Sequence, residues 1–375
     1  DGSSSTDWNT AANWDTGAVP TSADDVIIPD DSTTANDCTL SATGGNPKNV
    51  KSLKIEANGT IVGGGIQIRI YGESAAGFAL DNDGIISGSL FLEIKSDSTV
   101  SCDFAGSSGR FNSVTVNHAS CIINVESTFH IDGNLTITLG KVICGGNTVE
   151  IAGKTTIGDA GHSSEDQATL QCDASAMFLG SGYTSDNAII MLQGGTYVGG
   201  SGNHTSGAIK QTAAHTKLTF TTATHTINAE YPSDDRLFSL TAGKSFNADG
   251  RITLEGNFTS YIQWDTTAGD NGPHNLRLND ANLHAKLRTP MTIEGDLVID
   301  AGRLNTQYDG TDHKDLTVTG YCDVTGTLTL NTSTVSVAAL RCKSGAAVTQ
   351  DATGTLALAT GSNFGGTEGS AYSLR

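Results

Sequence analysis

Apolar residues along this chain recur at every second position in short runs, and each run is closed by turn residues. Leu53/Ile55, Ile66/Ile68/Ile70, Leu90/Leu92/Ile94, Val114/Val116, Leu135/Ile137 and Val149/Ile151 follow the rule. So do Leu276/Leu278, Leu297/Ile299, Leu316/Val318 and Leu328/Leu330. A period of two sends alternate side chains to opposite faces of an extended strand, so that one face can be buried. Between the runs lie Asn58-Gly59, Asp83-Gly84, Gly145-Gly146-Asn147, Asp249-Gly250 and Asp309-Gly310, pairs that favour tight turns. Helical spacing is not sustained anywhere in the chain. The pattern predicts an all-β fold.

A β-sandwich would also supply many short strands, so internal repetition is the deciding test. Residues 111–140 align without a gap on residues 273–302, at a constant offset of 162. Val114, Val116, Ala119, Cys121, Val125, Phe129, Ile131, Leu135 and Ile137 fall on Leu276, Leu278, Ala281, Leu283, Leu287, Met291, Ile293, Leu297 and Ile299. The polar frame Ile131-Asp132-Gly133-Asn134-Leu135 matches Ile293-Glu294-Gly295-Asp296-Leu297, and Gly140-Lys141 matches Gly302-Arg303. One architecture repeated along the chain explains this agreement. The prediction is a right-handed parallel β-helix, a solenoid over residues 36–375 behind an amino-terminal cap segment, residues 1–35.

Cysteine spacing agrees with coils of about 20 to 25 residues. Cys102, Cys121 and Cys144 are 19 and 23 apart, and Cys322 and Cys342 are 20 apart. Residues so spaced are expected to share a slot in successive coils and to stack as small hydrophobes. The total of seven precludes complete intramolecular pairing, and no Cys-x-x-Cys pair suggests zinc. Buried thiols fit synthesis in a reducing compartment.

The opening residues differ from the rest. Trp8 and Trp14 lie in Asp7-Trp8-Asn9-Thr10-Ala11-Ala12-Asn13-Trp14-Asp15-Thr16-Gly17-Ala18-Val19-Pro20, followed by Ala23-Asp24-Asp25-Val26-Ile27-Ile28-Pro29. Two large rings beside a short Val-Ile-Ile strand suit a lid over the open end of a solenoid core. Here the chain resembles a recurrent group of β-solenoid surface proteins, found among virion-associated proteins of tailed phages and large bacterial adhesins. The shared pattern is an Asn-Trp, a Gly-x-x-Pro, then Asp-Asp-Val-Ile-Ile-Pro and a strand such as Val50–Ile55 before Asn58-Gly59-Thr60. It is also similar to the eight-glycine domain that precedes parallel β-helices in some animal surface proteins. The resemblance covers residues 7–61 and implies architecture and a surface location, with no shared catalytic motif.

Charge narrows the partners. The chain holds 21 basic and 40 acidic residues, a formal charge of −19, which repels phosphate backbones and argues against nucleic acid. No apolar run is long enough for a membrane-spanning helix.

Candidate chemistry is sparse. Glycoside hydrolysis needs two facing carboxyls; Asp234, Asp235, Asp249, Glu255, Asp265 and Asp270, with Arg251 and His274, are the residues to inspect. Asp81-Asn82-Asp83-Gly84 opens like a calcium loop without its later Glu, and Asp309, Asp312 and Asp315 form a looser acidic turn; Ca²⁺ is the only cofactor these residues suggest. The nine histidines show no ligand spacing. Tyr261 and Trp264 form the aromatic pair suited to stacking on a sugar ring. The expected function is a non-enzymatic structural or adhesive rod on a virion surface (a fibre, spike or decoration protein). Its expected partners are other structural subunits, further copies of itself, or cell-surface glycans. A secreted bacterial adhesin or filament module, and a polysaccharide lyase or hydrolase on the same scaffold, are the alternatives.

Overall fold

The structure is a computed structural model. It describes residues 4–33, 36–161, 164, 166–173, 176–178, 189–192, 194–200, 202–211, 217–220, 224–228, 236–240, 245–248, 251–256, 259–264 and 273–359. It is a parallel β-solenoid with almost no helix, as the alternating runs and the repeat predict. From Val149 to Ile227 each strand pairs in parallel with the third strand after it, so every coil there lays three short strands on three faces. Elsewhere neighbouring strands merge around a corner. Phe129–Ile143 runs over all three faces, with register shifts where it bends.

Registered pairing turns the alternation into columns. On one face Ile68, Leu92, Val114, Leu135, Thr155, Ile189 and Ile209 stand in successive register. A second face carries Val26, Leu53, Leu80, Cys102 and Val125. The third carries Phe129, Val149, Ala176, His204, His225, Ile252, Leu276, Leu297, Cys322 and Leu340. Nearly all of these side chains are fully buried and together they form one continuous core. Each aliphatic group so placed contributes roughly 1.5–3 kcal/mol relative to exposure.

The repeat at offset 162 is a repeat of local structure. Gly140 and Gly302 both turn a corner at positive φ, 96° and 76°. A Cβ on Gly133 or Gly295 would strike the carbonyl oxygen of Asn112 or His274, which are themselves one offset apart. Ala119 and Ala281, counted with the apolar positions in the sequence, are exposed at the corner. The two copies occupy different faces. Val114 stands in the first column and its counterpart Leu276 in the third, because 162 residues do not make a whole number of coils.

Coil length also redistributes the cysteines. Cys102 and Val125 are register partners, and Cys144 follows Ile143, which pairs with Asn124; Cys102 and Cys144 therefore share a column with Val125 between them. Cys121 stands at the corner before that strand. Cys322 pairs with Leu340, while Cys342 pairs with Val324, so these two do not stack as the spacing of 20 suggests. The coil there advances 18 residues, from 322 to 340, and the remaining two residues step one pleat along the strand. The direct stack is Cys144 on Cys172, with Sγ atoms 4.0 Å apart, at a separation of 28 that one long corner creates.

The amino-terminal segment packs through its two tryptophans. Trp8 is buried, Trp14 meets it edge to face at 4.8 Å, and the Trp14 Nε1–H donates to the Trp8 carbonyl at 2.8 Å. Lys48 is the register partner of Ile68 on the preceding coil and is buried. Its Nζ donates to Asn9 Oδ1, Thr43 O and Gly45 O at 2.6–2.8 Å, which satisfies all three ammonium protons of the plug. Asp25–Ile28 pairs along one edge only, with Ser52–Ile55.

Ile137→Ala, deep in a column, is expected to cost about 2–5 kcal/mol. Ile27→Ala, at a side chain 54% exposed, should stay within about 0.5 kcal/mol. Equilibrium urea denaturation compares them, and equal losses would contradict the column as the source of stability.

Candidate functional site

Tyr261 lies on the first face, half-buried, on the strand Thr259–Trp264. The backbone of Trp264 pairs with Leu240, but its side chain lies outside the described residues. Around Tyr261 the described residues gather a second tyrosine and a row of cations. The strand Asn275–Leu287 continues the face, and its pleat turns Leu283, Ala285 and Leu287 inward and His284 and Lys286 outward. Arg288 follows in the same outward phase. Lys286 is the register partner of Tyr261, and His284 that of Thr259. On the next coil Arg303 stands against His284 and Asn305 against Lys286.

Tyr308, in the turn after Asn305, folds back across that row. Its ring lies 4.5 Å from the Tyr261 ring, tilted by 56°. Lys286 Nζ sits 5.7 Å from the Tyr261 centroid and Arg288 Cζ 4.9 Å from that of Tyr308. Each contact contributes about 0.5–1 kcal/mol at an exposed site and leaves the cation's N–H donors free for other acceptors. His284 is held below its ordinary proton affinity, first by burial and then by Arg303 and Lys286.

Three other cations on the outer surface each pair with a carboxylate one coil away. Lys54 pairs with Asp81 at 2.7 Å, Arg69 with Glu93 at 2.5 Å and Arg277 with Asp300 at 2.6 Å. Lys286, Arg288 and Arg303 have no carboxylate partner among the described residues. The sequence singled out Tyr261. The three cations were missed because they become neighbours only through the coil register.

The carboxylates considered for hydrolysis do not form a facing pair among the described residues. Asp234, Asp235, Asp249, Asp265 and Asp270 lie outside them. Glu255 accepts a hydrogen bond from Asn279 Nδ2 at 2.9 Å, Arg251 is exposed, and the His274 ring lies beside Gly295. Of the acidic turns, Asp81 and Asp83 meet Asp103 of the next coil, with one oxygen of each within 4.8 Å of the others. Lys54 already neutralises Asp81, and Asp103 accepts from Ser127 Oγ and the Ala105 amide. Three carboxylates in that state supply fewer free oxygens than the six to eight that Ca²⁺ takes. Asp309, Asp312 and Asp315 are drawn apart: Asp309 caps its own turn, Asp312 pairs with Lys314 and Asp315 accepts from the Thr334 amide.

A second polar cluster lies inside the rod. His204 and His225 are register partners whose rings stack at 5.8 Å and 1°. His204 Nδ1 is 2.9 Å from Tyr197 Oη, and His225 Nε2 is 2.8 Å from Ser206 Oγ. Burial lowers the proton affinity of both imidazoles, that of His204 to about 4, and raises that of the Tyr197 phenol, while the neighbouring Cys172 thiol is raised first by its hydrogen bond with Cys144 and then by burial. The signal for the pair was their separation of 21, about one coil. Every group here is neutral near pH 7, so the cluster is a buried hydrogen-bonded seam.

A groove of about 560 Å³ runs between the lid and the first coil, bordered by Trp14, Pro20, Ile27 and Pro29 with Asp15, Asp24, Asp25 and Glu56 at its rim. Among the described residues no helix is long and apolar enough to cross a membrane. Comparison of the chain with protein families, with characterised proteins and with solved structures finds no match.

The buried imidazoles fix the sign of an acid effect. Their folded proton affinity is lower than the unfolded value of 6.5, so the unfolded chain binds more protons below that pH and stability falls as pH drops towards 4. NMR should find both Cε1–H signals at neutral-imidazole positions down to about pH 5. A midpoint near 6.5 for either would contradict their burial.

Proposed function

We propose that this chain is a passive rod on the surface of a virion, a fibre, spike or decoration protein that works by reach and contact. The observation that carries the reading is the run of registered parallel pairing from Asp25 to Leu358, a shape that separates its two ends and exposes long flanks. Buried, unpaired thiols support assembly in a reducing compartment: Cys102, Cys121, Cys144, Cys172 and Cys322 are all buried and free. The amino-terminal likeness to virion-associated solenoids and adhesins points the same way. The flank around Tyr261 is the natural place for glycan contact, since tyrosine faces accept the apolar side of a sugar ring.

Immunogold labelling of purified particles tests the location, and the expected result is label on intact virions. Label confined to cell envelopes would transfer the protein to the bacterial adhesins. The passive role is tested by incubating the purified chain with a panel of surface polysaccharides and titrating reducing ends and unsaturated sugars. No increase is expected; a steady release would make the protein an enzyme.

A further inference from the structure

We propose that the flank formed by Tyr261, Lys286, Arg288, Arg303 and Tyr308 binds an acidic polysaccharide, a uronate-containing chain lying along the rod axis. The inference extends the adhesive reading above by naming the class of glycan.

Charge is the first argument. In a molecule of formal charge −19, three cations stand together without a carboxylate partner among the described residues, while Lys54, Arg69 and Arg277 each have one. Like charges on adjacent coils repel one another, and His284 beside them is held below its ordinary proton affinity, first by burial and then by Arg303 and Lys286. An anionic ligand would relieve that repulsion, and guanidinium groups bind carboxylates in a bidentate fork.

Shape is the second. The Tyr261 and Tyr308 rings touch each other beside Lys286 and Arg288, so a sugar placed there meets aromatic surface and a cation together. Spacing is the third. Coils repeat every ~4.8 Å along the axis, close to the advance of one pyranose in an extended glycan. A carboxylate on successive sugars can therefore find Lys286 or Arg288 on one coil and Arg303 on the next. Beyond them the same face continues with Asn305, Thr329 and Thr349 in register, side chains able to bond hydroxyl groups. Nucleic acid fits less well. Its denser backbone charge meets the repulsive field of the whole rod, while a uronan carries one charge per acidic sugar. Binding is non-covalent.

Isothermal titration of the purified chain with polygalacturonate and alginate fragments tests the site, with dextran of matched length and duplex DNA as comparisons. At low salt at least one uronan should bind, more weakly as salt rises, and dextran should not. The triple variant Lys286→Ala/Arg288→Ala/Arg303→Ala should weaken binding by about tenfold or more. Tyr261→Ala should weaken it too, and Arg341→Ala, which removes the cation stacked on Tyr321 elsewhere on the rod, should leave it unchanged. Circular dichroism confirms that each variant keeps its fold. The proposal is overturned if neither uronan binds, if the triple variant binds as well as the parent, or if dextran or DNA binds as tightly as the uronans. Shortening of a bound uronan during titration would end the passive-rod reading and leave the site standing. Absence of uronan binding by a chain found on virions would do the reverse.

Discussion

Parallel hydrogen bonding in register sets each coil directly above the last, and every other property of the molecule depends on that constraint. A side chain pointing inward on one coil has an inward neighbour at the same height on the next. Ile68, Leu92, Val114 and Leu135 become a column for this reason alone. The core is thin, so no residue packs against a distant layer; stability accumulates from neighbour to neighbour. The same registration acts on the outside. Lys54 and Asp81, Arg69 and Glu93, and Arg277 and Asp300 are separated by about one coil in sequence and meet as ion pairs.

Register also stacks like on like, with unequal consequences. Two imidazoles in the core can lie flat on each other because both are neutral and each finds a hydroxyl, from Tyr197 and from Ser206. Two thiols stack as well, Cys172 on Cys144 with Sγ atoms 4.0 Å apart. Cations brought together on the surface have no such escape. Lys286, Arg288 and Arg303 stand on adjacent coils without a carboxylate partner among the described residues, in a molecule with an excess of carboxylates.

Much of this was legible in the sequence. Alternation marked the strands, and the ungapped match of residues 111–140 to 273–302 marked the solenoid. Column membership was not legible, because it depends on the length of each coil and on where each corner bends. Cys322 and Cys342 have a suitable spacing and miss each other by one pleat. Cys144 and Cys172 have an unsuitable one and touch, because a long corner intervenes. Tyr261 was found because aromatic residues are rare and conspicuous in this chain. Its partners were not, since Lys286 lies one coil away and Tyr308 reaches it by folding back across the row.

The transfer of one 30-residue motif to a different face has a consequence for how such a rod changes size. Val114 and Leu276 do the same local job on different sides of the prism, so a corner-and-strand unit is not bound to one azimuth. Whole coils can then be gained or lost by duplication or deletion, provided the lid residues stay at their end. The length of the molecule is thus quantised in steps of ~4.8 Å, and a lineage can tune the distance between its attachment point and its target without redesigning the interior.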